Sequence, residues 1–248
     1  MQYKEYGKQN RDVIILLHGG GLSWWNYREV AERLQNVFRI IVPILDGHAG
    51  SDKNFTTIED NAAEIISFID VKFGGSVLLI GGLSLGGQIL LEMLSQRKDI
   101  CRFAMVESAA VIPSKLTYLL IKPAFGSCYG LIRQKWFSKL QFRSLRIKSE
   151  LFNDYYQDTC GITKQNMIVF LQESSMYFMK KSLRECTTDI HLFVGERENK
   201  RIRFSARKLH ETLEKSNLHV LQTMHHGEFS INHADLYVKE LCAIAKQR

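Results

Sequence analysis

Proline is scarce in this chain, with three among 248 residues, so a Pro-rich linker or a low-complexity disordered protein is excluded. No apolar run approaches the roughly 20 residues that a bilayer crossing needs. The apolar run nearest the start, Val13–Leu17, is short and leads straight into His18-Gly19. It does not read as a signal peptide, and a cytoplasmic location is the expectation. The five cysteines, Cys101, Cys128, Cys160, Cys186 and Cys242, contain no CxxC pair and no metal-like spacing. Their odd number and wide separation argue for reduced thiols packed as small apolar side chains. Neither a G-x-G-x-x-G loop nor a G-K-[ST] phosphate loop occurs, which removes the two commonest nucleotide-binding devices.

Acidic residues are missing from one place in particular. The chain carries 33 basic and 26 acidic residues, a net charge of +7. Between Val111 and Glu150 eight basic residues (Lys115, Lys122, Arg133, Lys135, Lys139, Arg143, Arg146, Lys148) stand against Glu150 alone, so this segment holds the whole excess. Two readings follow: a solvated helical surface, or a positive rim that attracts an anionic substrate or an acidic surface. No nucleic-acid-binding motif accompanies the charge. The interleaved rings of Tyr118, Phe125, Tyr129, Trp136, Phe137 and Phe142 read as packing of a helical subdomain.

What is present is an alternation of short apolar strands and longer helical stretches. Strands are predicted at 12–17, 38–42, 76–80, 101–106, 189–194 and 219–223, with Gln2–Tyr6 as one edge strand. Helices are predicted at 24–34, 58–69, 85–96, 205–215 and 233–246. Thr57, three residues before Asp60, resembles a capping box ahead of Ile58, Ala62, Ile65, Ile66 and Ile69, which share one helical face. Residues 114–185 look mostly helical. The pattern predicts a three-layer α/β/α sandwich with a mainly parallel central sheet and a helical insertion after the strand at 101–106, which the family resemblance drawn below implies is a helical lid. Residues 1–110 and 187–248 would form the core and 111–186 the insertion, a cap if the resemblance below holds. In such a sheet, ligand sites lie beyond the carboxyl ends of the strands.

Gly82-Leu83-Ser84-Leu85-Gly86 follows an apolar strand and precedes a helix. A sharp strand-to-helix turn crowds the residues two before and two after the serine, so glycines there relieve the clash while Ser84 is pushed outward as a nucleophile. His18-Gly19-Gly20-Gly21 ends the first long strand. Its backbone N–H groups can face an oxyanion, with Gly20 the assigned donor, Gly21 its competitor, and Leu85, the residue after the nucleophile, the second donor. His18 reads as a structural residue beneath the loop. The general base is expected late in the chain, at Met224-His225-His226-Gly227-Glu228, as His226 or, alternatively, His225. No third ligand at characteristic spacing joins these histidines, so a zinc site is not expected.

These pieces, with the Gly47-His48-Ala49-Gly50-Ser51 loop and Gly195-Glu196-Arg197-Glu198, resemble the α/β-hydrolase superfamily, in its group of small lidded esterase-, lipase- and acyl-transferase-like enzymes. The resemblance covers essentially the whole chain and implies the order nucleophile, acid, histidine. Its acid position falls on Glu198, where relatives carry aspartate; Glu107 and Glu196 remain alternatives. It further implies a carboxylic ester or thioester substrate with an apolar acyl part and no cofactor or metal. Leu119, Leu120, Ile121, Phe125, Phe170, Met176, Phe178 and Met179 offer apolar surface for it, and Trp24 and Trp25 either narrow the acyl pocket or pack on the sheet. Carbon–carbon bond hydrolysis with the same groups and a non-catalytic binding protein are the competing functions. A monomer or homodimer is expected.

Overall fold

In the computed structural model, residues 1–247 are described. The chain begins with strands β1 (Tyr3–Tyr6) and β2 (Val13–Leu17), a 3-10 turn at Trp24–Tyr27, and helix α1 (Arg28–Leu34). Strand β3 (Arg39–Pro43), helix α2 (Ile58–Phe73), strand β4 (Val77–Leu83), helix α3 (Leu85–Gln96) and strand β5 (Cys101–Glu107) follow. Four helices are then consecutive: α4 (Lys115–Ile132), α5 (Lys135–Ser144), α6 (Phe152–Gly161) and α7 (Lys164–Met176). Alternation resumes with β6 (Asp189–Gly195), α8 (Lys200–Thr212) and β7 (Ser216–Leu221), ending in α9 (Glu228–Asn232) and α10 (Ala234–Ala245).

The seven strands form one sheet in the order β1-β3-β2-β4-β5-β6-β7. Only β1 runs antiparallel, against β3; the other pairs are parallel. All five residues of β2 are buried, as a strand covered on both faces requires. Ile15 and Leu17 face the side of α2 and α3, packing in one cluster with Ile65, Ile69, Ile89 and Met93. Ile14 and Leu16 face the other side with Val30, Leu34, Tyr237 and Leu241. Truncating one such side chain to alanine costs about 2–5 kcal/mol through lost transfer energy and a residual cavity.

The register aligns the carboxyl ends. Leu17 lies beside Gly82, Leu83 beside Glu107, Glu107 beside Phe193, and Gly195 beside Leu221. The loops carrying residues 18–21, 84, 108, 198 and 226 therefore leave the sheet on one edge. After β2 the chain moves outward to β3, and after α2 it returns to β4 on the other side of β2. This reversal opens a crevice at the ends of β2 and β4, where open α/β sheets bind ligands.

Several boundaries differ from expectation. Strand β4 runs on through Gly81, Gly82 and Leu83, because glycines on a strand flanked by β2 and β5 still satisfy the ladder. Strand β7 ends at Leu221 and not at Thr223, whose positive φ of 63° is incompatible with a strand. The last helix is interrupted at His233, which starts α10, as expected, but also follows the short α9. The Thr57 side chain accepts from the Asp60 N–H (3.0 Å) and caps α2 as its sequence suggests.

Candidate active site

Ser84 occupies the turn between β4 and α3 with φ 53° and ψ −110°, a conformation in which a residue with a side chain is strained. Its N–H donates to the Glu107 carbonyl (2.8 Å), which fixes the turn. A Cβ on Gly82 would stand 2.4 Å from the Gly86 carbonyl oxygen, and one on Gly86 2.2 Å from that of Leu17. Only glycine fits at either place, and the turn can close only with both. Leu85 begins α3, so its N–H has no intrahelical acceptor and is free for an oxyanion.

The loop after β2 is held by two buried neutral histidines. His18 Nδ1 donates to the Gly19 carbonyl (2.9 Å), and Nε2 accepts from the Leu45 N–H (3.2 Å). His48 repeats the pattern: Nδ1 donates to the Asp46 carbonyl (3.0 Å) and Nε2 accepts from the Gly21 N–H (3.1 Å). Burial, with the neighbouring His48, pushes the His18 pKa down to about 3. Burial pushes that of His48 down to about 4. Both rings are thus uncharged near neutrality, as an acceptor Nε2 demands. Gly19 N–H donates to Asn26 Oδ1 (3.3 Å). With the Gly19 and Gly21 donors occupied, Gly20 is the one of the three glycines whose N–H has no partner among the described residues.

His226 projects from the loop after β7, and its Nδ1 lies 2.9 Å from Glu198 Oε2. The Glu198 side chain is fully buried, whereas that of His226 is 42% exposed. The other carboxylate oxygen accepts from Ser108 Oγ (2.6 Å) and the Gly195 N–H (2.9 Å). Burial alone would raise the Glu198 pKa. The hydrogen bond and charge of His226, with the Ser108 and Gly195 donors, outweigh it and hold the carboxyl below its ordinary value. An ionised Glu198 accepts from Nδ1 and so selects the tautomer that carries its proton there.

Ser84 and His226 line one cavity of about 250 Å³ with Ser108, Gln88, Asn199 and Arg201. No hydrogen bond joins Ser84 to His226 among the described residues; such contacts are often long without substrate and tighten in the complex. Ser108, Glu198 and His226 form a hydrogen-bonded serine–acid–histidine arrangement, which raises the question of which serine attacks. Ser108 donates to the carboxylate, on the far side of Glu198 from the imidazole. Ser84 stands on the strained turn beside the free Leu85 N–H.

The rival residues have other partners. Glu196 Oε2 accepts from the Thr223 N–H (2.9 Å), and His225 faces Glu228 (3.4 Å). Glu107 lies beneath the turn, accepting from the Ser230 N–H (3.3 Å), with its second oxygen buried and unpartnered. Burial pushes its pKa from 4.5 to about 7, against the lowering by Ser230. Between those values the folded protein keeps a proton that the unfolded chain releases, so stability falls as pH rises through this window. Full ionisation above it costs about 3 kcal/mol. Glu107→Gln is therefore expected to gain stability relative to the natural chain above pH 7 and to lose that advantage below pH 4.5. Urea unfolding at both extremes reads this, and parallel profiles would contradict it.

A second, apolar cavity of about 120 Å³ adjoins Gly20, lined by Leu22, Phe125, Ile132, Met167 and Phe170 among others. Of the expected apolar residues, Phe125 and Phe170 reach it. Ile121 is buried outside it, Met176 and Met179 do not line it, and Leu119, Leu120 and Phe178 are more than half exposed. Trp25 is buried with its Nε1 donating to Asp158, and Trp24 lies under Lys4 and Arg28, so Leu22, not a tryptophan, narrows the pocket. None of the eight basic residues at 115–148 lines either cavity, so the positive rim is not the pocket wall. Ser108 and Arg201 were not singled out from sequence, and His48 was read only as part of the loop at 47–51; the positive φ of Ser108 (58°), directly after a strand, is visible only in the structure. Among the described residues no group of three or more His, Cys, Asp or Glu is placed to hold a metal ion.

Sheet order, strained serine turn, late histidine and buried acid together define an esterase-like hydrolase built on an α/β sandwich. The chain belongs to the alpha/beta hydrolase fold family, whose model matches residues 12–148. Its fold is similar to that of a bromoperoxidase from Bacillus anthracis (TM-score 0.83, 14% identity, covering 99% of this chain and 95% of that one). An esterase from Exiguobacterium antarcticum (0.82, 16%, 99% and 95%) and an enol-lactonase from Burkholderia xenovorans LB400 (0.81, 14%, 99% and 96%) are similar in the same way. At these identities the likeness is one of fold. No curated protein matches the chain in sequence.

Proposed function

We propose that the protein hydrolyses a carboxylic ester or thioester through an acyl-enzyme, with Ser84 as nucleophile, His226 as base and Glu198 as the acid that orients it. The observation that carries this reading is the His226–Glu198 hydrogen bond of 2.9 Å at the rim of the cavity that Ser84 also lines. Ser84 Oγ attacks the carbonyl carbon as His226 Nε2 takes its proton, and the carbonyl π pair becomes an oxyanion held by the Gly20 and Leu85 N–H groups. The imidazolium then protonates the departing alkoxide or thiolate as the bond to it breaks. Water, deprotonated by His226, adds to the acyl-enzyme, and collapse of that intermediate returns the proton to Ser84 and frees the acid.

The two cavities divide the substrate. The apolar one beside Gly20 takes a short to medium acyl chain, bounded by Phe170. The polar one takes the leaving group, next to Arg201. Residues 1–110 and 187–248 serve as core and 111–186 as cap. Five free thiols fit a reducing compartment, and we place the protein in the cytoplasm as a monomer or homodimer.

Hydrolysis of p-nitrophenyl esters from acetate to laurate tests the reading. Activity should peak at intermediate chain length, and Phe170→Ala should move the peak to longer chains. Cleavage of a vinylogous diketone in preference to every ester would assign carbon–carbon chemistry instead.

Arg201 bears on the leaving group. Its Nε and Nη2 donate to the Ile112 (2.8 Å) and Ser175 (3.3 Å) carbonyls, it has no carboxylate partner among the described residues, and burial alone lowers its pKa. A substrate carboxylate there would gain a charge-assisted contact. Arg201→Gln should lower the ratio of kcat/KM for a carboxylate-bearing leaving group to that for a neutral one by about tenfold or more. An unchanged ratio would contradict this placement.

A further inference from the structure

Exposed apolar side chains are unevenly distributed. Among the described residues 13 large hydrophobic side chains are exposed, and eight of them lie between Leu116 and Leu145, on α4, α5 and their ends. Helix α4 turns Ile121, Phe125, Tyr129 and Ile132 inward, with the Tyr129 hydroxyl donating to the Ile162 carbonyl. Leu116, Leu119 and Leu120, spaced i, i+3 and i+4, are 69%, 66% and 56% exposed. Helix α5 buries Ser138 and Phe142 and exposes Trp136 (65%) and Leu140 (61%), one turn apart. Lys135, Lys139 and Arg143 form the adjoining stripe. Of the eight basic residues between Val111 and Glu150, only Lys148 has an ion-pair partner among the described residues, Glu29.

We propose that the outer face of α4 and α5 seats the protein on an anionic lipid surface. Scattered exposed leucines need no explanation, but leucines and a tryptophan gathered on consecutive amphipathic helices and flanked by unpaired cations match the pattern of an interfacial helix. Apolar side chains enter the acyl boundary, the indole sits at headgroup depth, and the lysines and arginines meet phosphate. A second copy of this chain fits less well, because a two-fold contact would bring the same unpaired positive charges together. Phe125, Ile132 and Leu145 of this segment also line the apolar cavity beside Gly20, so a docked protein would hold that cavity's wall next to the lipid. The proposal does not depend on the catalytic assignment.

Co-sedimentation of the full chain with phosphatidylcholine vesicles, with and without phosphatidylglycerol, tests it. Binding to the phosphatidylglycerol vesicles should be at least about tenfold tighter than to phosphatidylcholine alone, and should weaken with added salt. Leu119→Asp combined with Leu120→Asp, and separately Lys135→Gln combined with Lys139→Gln, should each lower it by about tenfold. Thermal melting of each variant establishes that it is folded. Absent binding, equal binding to both vesicles, or folded variants that bind like the natural chain would overturn the proposal. So would a concentration-dependent dimer in sedimentation velocity that Leu119→Asp abolishes, which would assign the face to self-association.

Discussion

Replacing Ser84 by alanine is expected to lower kcat for ester hydrolysis by about ten-thousand- to a million-fold, since removal of an activated nucleophile leaves only binding and oxyanion stabilisation. The fold should survive, because the Ser84 hydroxyl has no hydrogen-bond partner among the described residues and the turn is fixed by backbone contacts. Glycine at the same position separates chemistry from strain. The φ of 53° costs a residue with a Cβ but not glycine. Ser84→Gly should therefore be as inactive as Ser84→Ala yet more stable, by about 1 kcal/mol. Denaturant unfolding of the two variants side by side measures this, and equal stability would contradict strain at the turn.

The second large effect is expected at Glu198. Exchange for glutamine removes the charge that stabilises the imidazolium and allows the wrong tautomer of His226, so kcat should fall by about a thousand- to ten-thousand-fold. Glu107→Gln should lose less than about tenfold, because its carboxyl contacts the Ser230 N–H and not the imidazole. Ser108→Ala should fall between them. On the proposed assignment Ser108 is a positioning residue; its hydroxyl shares the carboxylate oxygen with the Gly195 N–H. Losing its hydrogen bond should raise the Glu198 pKa and move the acid limb of the pH–rate profile upward, which a purely structural role would not do. If Glu107→Gln were the more damaging exchange, the acid would be at the end of β5.

Strands and elbow were legible because their determinants are local. Val13–Leu17 is a continuous apolar run, as a doubly covered strand must be, and the glycines at 82 and 86 stand where any Cβ would strike backbone. The separation of Gly20 from Gly21 was not legible. It depends on His48, 27 residues away, accepting from the Gly21 N–H. The same holds for Ser108 and Arg201, whose importance comes from strands and helices brought side by side at the sheet's carboxyl edge. The helical segment 111–186 misled for a different reason. Leu119, Leu120 and Phe178 are apolar at helical spacing, which marks a face without saying whether the active-site cavity or the solvent lies opposite it. Trp24 and Trp25 sit close to the glycine loop at 18–21 in sequence, but the 3-10 turn at Trp24–Tyr27 carries them away from it, towards α6 and β1.

The central assignment is that Ser84, and not Ser108, is the activated hydroxyl. Reaction of the folded protein with a fluorophosphonate, followed by peptide mass spectrometry, tests it directly. One stoichiometric phosphonyl adduct on Ser84 is predicted, lost in His226→Ala. An adduct on Ser108, or none on the folded natural chain, would contradict it.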